Sequence, residues 1–136
     1  MKSKSVLILT FLVSIALSFE GCSKYEEGPN LSFRSRKDRV SNNWKVSNYK
    51  INGIDSTFLV SAYTETFTKE RAYNYTWGPL SGAGTWVFQN SDKEIKLNGP
   101  DAQTSRTLFI IKLEEKEFWY YYLVDGVKNE FHLNAL

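Results

Sequence analysis

From Trp44 onward, short segments in which apolar and polar residues alternate with a period of two recur along the chain, and few folds accept such a pattern. Tyr63, Glu65 and Phe67 alternate with Ala62, Thr64, Thr66 and Thr68. Tyr73, Tyr75 and Trp77 alternate with Asn74 and Thr76, and Ile95 and Leu97 with Glu94 and Lys96. Successive side chains of a strand point to opposite faces, so each segment reads as a half-buried strand. Turn formers separate the segments: Lys69-Glu70-Arg71, Gly78-Pro79, Gly82-Ala83-Gly84, Asn90-Ser91-Asp92, Asn98-Gly99-Pro100-Asp101, Glu114-Glu115-Lys116 and Asp125-Gly126. The last is a strong signal for a tight hairpin. Eight strands with short turns need about 90 residues, and residues 44–136 supply 93. The pattern predicts an all-β fold, an antiparallel up-and-down barrel of about eight strands, whose interior is just wide enough for side chains or one small ligand.

Two places break the phase. In residues 44–51, Trp44 and Val46 share one face while Tyr49 and Ile51 fall on the other. A bulge near Ser47-Asn48 would turn all four inward. Residues 52–61 read equally as a further strand or as a loop.

Ahead of the barrel stands an export address. Lys2 and Lys4 precede the apolar run Val6–Leu17, followed by Ser18-Phe19-Glu20-Gly21-Cys22. A positive start, an apolar centre and a small residue before the cut describe a secretory signal peptide, and Glu20 ends the run too early for a membrane span. Leu17 to Cys22 resembles the lipobox of bacterial lipoproteins, with Phe19 and Glu20 where the usual box has an aliphatic and a small residue. Cys22 is the single cysteine of the chain, so it has no disulfide partner. The expected organisation is a lipoprotein signal peptide over 1–21, lipidation (palmitate among the acyl chains) at Cys22, a tether and lead-in over 22–43, and the barrel over 44–136. The other reading is a secreted protein with a spare thiol.

Several stretches together resemble the small lipocalin-like lipoproteins of one Gram-negative phylum. They are Cys22 to Pro29, Leu31 to Val40, Trp44-Lys45-Val46, Gly84 to Phe88, and the ending Ile110 to Leu113, Glu117-Phe118-Trp119 and Asn129 to Leu133. The resemblance implies a calycin-type barrel on a lipid tether, in most members without an assigned ligand. Lipocalins proper carry Gly-x-Trp at the first strand; here Asn42-Asn43-Trp44 stands in its place. Ser23 to Glu27 resembles the acidic tags that send such lipoproteins outward, which implies an outer-membrane lipoprotein at the cell surface or the periplasmic face. As a plain hydrophilic linker the same stretch implies neither. Asp55-Ser56-Thr57 resembles a short O-glycosylation motif.

Composition excludes more than it assigns. Without residues 1–21 the 17 basic and 15 acidic side chains fall to 15 and 14, so no basic face for nucleic acid is expected. Arg34 to Arg39 is a solvated stretch near the anchor, placed to touch anionic headgroups. His132 is alone, as a metal site or a nucleophile triad would not have it. Asp92, Asp101 and Asp125 sit at turns. No metal, cofactor or catalytic activity is expected.

The segments 105–113 and 117–124 are apolar on both faces, whereas a barrel strand needs only one apolar face. Three explanations stand. The lead-in packs over the outer face through Leu31, Phe33 and Val40; or a protein partner or the membrane contacts it; or the barrel holds a cavity lined by aromatic residues. For the last, strand phase selects Trp44, Tyr73, Tyr75, Trp86, Phe88, Tyr120 and Tyr122 as ligand-binding residues, with a small apolar or aromatic ligand. The reading is a membrane-anchored lipocalin-like binding module. The alternative is a non-catalytic envelope protein that meets a partner through its aromatic outer face near Trp119 and Tyr121.

Overall fold

A computed structural model describes residues 25–26 and 32–136. The expected signal peptide over 1–21, Cys22, most of the expected tether and Leu31 lie outside the described residues. The first element is a short helix, α1 (Arg36–Val40). Ser35 caps it, accepting from the Asp38 backbone N–H and donating to the Asp38 carboxylate at 2.7 Å, a reciprocal arrangement typical of a helix start.

Nine strands follow: β1 (Asn43–Ile51), β2 (Ile54–Asp55), β3 (Tyr63–Phe67), β4 (Ala72–Trp77), β5 (Leu80–Gln89), β6 (Glu94–Asn98), β7 (Arg106–Leu113), β8 (Glu117–Val124) and β9 (Val127–Ala135). Neighbours pair antiparallel in chain order from β3 to β9, β1 pairs with β3, and β1 also pairs with β9. These eight strands close an up-and-down barrel. The ninth, β2, is a two-residue extension on β1.

Residues 52–61 are therefore neither a full strand nor an open loop. Asn52 and Gly53 both have positive φ, +48° and +83°, the geometry of a two-residue hairpin turn. The chain then pairs Ile54 with Ile51 and enters a 3-10 turn over Thr57–Val60. Thr57 holds that turn on β1: its Oγ1 accepts from the Tyr49 backbone N–H at 2.9 Å and donates to Asp55 at 2.7 Å.

The bulge expected in β1 is present. Its register against β9 shifts between Val46 and Asn48, and Trp44, Val46 and Tyr49 are all buried with Ile51 packed against them. A second bulge lies between Ile110 and Lys112 in β7. It puts Leu113 inward with Leu108 and Ile110, and leaves Phe109 outside.

Gly82-Ala83-Gly84 does not break the chain, as the glycines had suggested, but runs through the middle of β5. These glycines serve close approach. A Cβ on Gly82 would collide with the Tyr75 ring, and one on Gly84 would overlap the Asn98 carbonyl oxygen. Backbone yields less readily than a side-chain tip, so Gly84→Ala should cost about 3 kcal/mol. Urea unfolding checks this, and an unchanged midpoint would show that the strands can part freely.

The lead-in closes one end of the barrel rather than covering the outer hairpin face. Val40 is fully buried in the core, whereas Phe33 is fully exposed. Arg39 donates to the Leu113 carbonyl at 2.8 Å, and the Trp44 indole N–H donates to the Val40 carbonyl at 2.9 Å. We call this helix-covered end the base. The opposite end, with the β4–β5 and β8–β9 turns and the 3-10 turn, is the mouth.

Candidate functional site: the barrel mouth

Above the base the interior is filled by rings. Phe67 lies edge-on to Trp86 and Phe118, with centroids 5.9 and 5.7 Å apart, and Trp44 packs on Phe118 at 5.7 Å. Such rings exclude water and leave room for little else.

At mid-height this apolar stack meets a carboxylate. Glu65 is 1 % exposed and has the same strand phase as Tyr63 and Phe67. Three phenols surround it. Tyr73 donates to Oε2 at 2.7 Å, Tyr120 to Oε1 at 2.8 Å, and Tyr63 to Oε2 at 3.2 Å, with Tyr63 and Tyr73 also 3.1 Å apart. Burial lifts the carboxyl above its ordinary value, and the phenol hydrogen bonds pull it part of the way back. Burial, and then the charge of Glu65, raise all three phenols well above 10. They stay protonated at neutral pH and serve as donors.

Above this floor the barrel opens. A cavity of about 110 Å³ is lined by Tyr49, Val60, Tyr63, Trp77, Gln103, Arg106, Tyr122 and Phe131. Its walls are fixed from outside. The Tyr49 hydroxyl donates to Asn129 at 2.7 Å, and the Trp77 indole donates to the Leu59 carbonyl at 3.2 Å. Tyr122 lies nearly parallel to Phe131 at 5.8 Å. The Arg106 guanidinium sits over the Tyr122 ring, 4.1 Å from its centre, a favourable cation–π placement.

The surface around this opening is apolar. Nine large hydrophobic residues are exposed among the described residues. Seven of them (Ile54, Phe58, Leu59, Leu80, Leu123, Val124 and Val127) lie in or beside the connections at the mouth. Scattered apolar residues need no explanation, but a ring of them around an opening marks a contact surface.

The outer face of β7–β9 is more occupied than its sequence suggests. Phe109 stacks on Tyr121 at 4.9 Å, and Trp119 on His132 at 3.9 Å with the rings nearly parallel. Lys112 lies over Trp119 and Lys128 over Tyr121. His132 also bonds Glu130 at 2.8 Å, so the lone histidine belongs to this surface network. Tyr25 reaches its edge, lining a groove with Phe109 and Tyr121 and donating to the Asp92 carbonyl at 3.0 Å. Burial pushes the Tyr25 phenol up to about 12.

Of the seven aromatic residues selected from strand phase, Tyr122 lines the mouth cavity. Trp44, Tyr73, Tyr75, Trp86 and Tyr120 are buried in the core, and Tyr73 and Tyr120 meet at Glu65. Phe88 stands near the base, beside Arg34, Arg36 and Arg39 in an open groove. Within Asp55-Ser56-Thr57, Ser56 is buried and its hydroxyl donates to the Ile54 carbonyl at 3.2 Å. Sequence reasoning did not single out Glu65 or Arg106. The available signal was phase: each is a charged residue in register with inward-facing neighbours.

No family model and no curated protein matches the chain. Among solved structures, a DUF4847-family protein from Bacteroides vulgatus resembles it at 12 % identity. The match covers 71 % of this chain and 93 % of the other, with a TM-score of 0.48. A likeness so distant does not speak to function.

Proposed function

We propose that the chain is a lipid-anchored, lipocalin-like binding module that receives a small aromatic or apolar ligand at the mouth of its barrel. The observation that carries this reading is the contrast between the two ends. The base is sealed by α1 and the interior is filled up to Glu65, whereas the mouth holds a cavity inside an apolar rim. Pockets for drug-sized ligands usually start near roughly 300 Å³. A cavity of about 110 Å³ instead suits a molecule of one ring. The phenols around Glu65 are committed to one another and to the carboxylate, which favours a structural floor over a catalytic one.

The anchor half of the proposal rests on Cys22 and on the resemblance to lipocalin-like lipoproteins of the outer membrane. One short acyl chain holds a protein weakly, and two or more hold it stably. Replacing Cys22 with Ala should move the protein from the membrane to the soluble fraction. A variant that still pellets would remove the anchor from the proposal.

Native mass spectrometry of protein purified from its own host tests the binding half. A bound species of roughly single-ring mass is expected. A long-chain lipid in the complex would require the interior to open, and would overturn the mouth site. A partner contact through the outer face is the second reading, and half-buried Trp119 and Tyr121 support it. Their stacking on His132 and Phe109 leaves less free apolar surface than the sequence implied.

A further inference from the structure

We infer that the mouth cavity binds a single-ring aromatic carboxylate, with the ring between Tyr122, Phe131 and Tyr63 and the carboxylate on Arg106. This rests on reading the mouth as the ligand site and names its ligand class.

The hydrogen bonds of Arg106 point to a carboxylate. Its Nη2 donates to the Ala102 carbonyl at 3.1 Å, while its Nε is buried and has no hydrogen-bond partner among the described residues. Buried donors are nearly always satisfied, and Arg106 lines the cavity, so its guanidinium has donor capacity for an acceptor that enters there. No acidic side chain forms an ion pair with Arg106 among the described residues. The nearest buried carboxylate, Glu65, is already enclosed by three phenols. A guanidinium is a planar fork that matches a carboxylate in two parallel bonds. The Tyr122 side chain, with its ring centre 4.1 Å from the guanidinium carbon, holds Arg106 at the cavity.

The ring follows from the rest of the lining. Val60, Trp77 and Phe131 offer apolar surface, and the near-parallel Tyr122 and Phe131 offer flat faces for stacking or edge contact. A long-chain aliphatic acid would have to displace the buried rings below, around Glu65. Gln103, at the lip, can bond a ring substituent.

The test uses the full chain carrying Cys22→Ala, so that acyl chains do not compete. Benzoate, benzamide and acetate are titrated while backbone amide resonances and affinity are followed. Benzoate should perturb Arg106, Tyr122 and Phe131, bind about tenfold more tightly than benzamide, since one charge-assisted hydrogen bond accounts for a factor of that size, and bind more tightly than acetate, which lacks the ring. In Arg106→Gln the preference for benzoate over benzamide should vanish. Arg106→Lys keeps the charge without the fork and should retain part of it, which guards against a variant that merely misfolds. Equal binding of benzamide at the mouth, or a preference for benzoate over benzamide that survives Arg106→Gln, would overturn the carboxylate while leaving the mouth as the ligand site. Equal binding of acetate would reduce the site to a simple anion contact and overturn the ring. Perturbation confined to residues away from the mouth, or by none of the three probes, would overturn both readings.

Discussion

Glu65→Ala should destabilise the domain by about 4 kcal/mol, because three buried phenol hydroxyls lose their acceptor and each unsatisfied group costs roughly 1–3 kcal/mol, less what Tyr63 and Tyr73 recover from each other. Against a typical total of about 5–15 kcal/mol, such a loss would leave a domain near its folding limit. Glu65→Gln keeps the shape and one acceptor oxygen, and should cost about 1–2 kcal/mol. Tyr120→Phe removes the donor to Oε1 and should fall between the two.

The same residue gives a pH dependence whose sign is unusual for a carboxylate. Burial raises its folded-state value above 4.5, so the folded chain holds that proton more tightly than the unfolded chain. The contribution of Glu65 is therefore full below that value and declines as pH rises through the folded one. Asp55 and Glu130 run the other way. Backbone and side-chain bonds from Thr57 lower the first, while bonds from Lys128 and His132 outweigh burial to lower the second. Their contributions are present above the unfolded values and are lost on acidification. The advantage of the wild type over Glu65→Gln should thus shrink from about pH 4 to pH 8 in denaturant unfolding. An advantage that grows with pH would mean that the three phenols dominate over burial.

The second large effect is expected at the base. Trp44 is fully buried, packs on Phe118 and donates its indole N–H to the Val40 carbonyl. Trp44→Ala removes the ring and leaves a cavity beside α1, a change that costs about 4 kcal/mol in well-packed cores. Trp44→Phe keeps most of the volume but leaves the Val40 carbonyl unpaired, and should cost about 1–2 kcal/mol. Unfolding followed by fluorescence measures both, and hydrogen exchange at Arg39 and Val40 shows whether α1 detaches first. If Trp44→Phe equalled Trp44→Ala, the hydrogen bond rather than ring packing would hold the base.

The fold was legible because a half-buried strand writes its burial into every second residue. Trp44 and Val46 against Tyr49 and Ile51 announced the first bulge by a break in phase. The second bulge, at Ile110–Lys112, left no such break, since both faces of β7 are apolar and a one-residue slip changes nothing visible. Gly82 and Gly84 misled for a different reason. Glycine serves turns and close approach alike, and only the Tyr75 ring and the Asn98 carbonyl show which need applies. The site was less legible than the fold. Glu65 stood in the inward phase, but its partners come from β3, β4 and β8, and Tyr120 lies 55 residues away. Arg106 shares the inward phase of Leu108 and Ile110, but it opens its strand after a loop, with no residue before it to continue the pattern. Strand phase also cannot report height along the barrel. For that reason the selected aromatic residues divide between filled core, base and mouth.

Four tryptophans happen to stand at the four places that matter: Trp44 at the base, Trp86 in the interior, Trp77 at the mouth and Trp119 on the outer face. Fluorine NMR of the protein labelled with 5-fluorotryptophan, titrated with benzoate and with a sixteen-carbon fatty acid, therefore reads every competing site in one spectrum. A benzoate shift at Trp77 with Trp44 and Trp86 unmoved by either compound is the expected result. A shift at Trp86 or Trp44, or one confined to Trp119, would contradict a filled barrel that binds at its mouth.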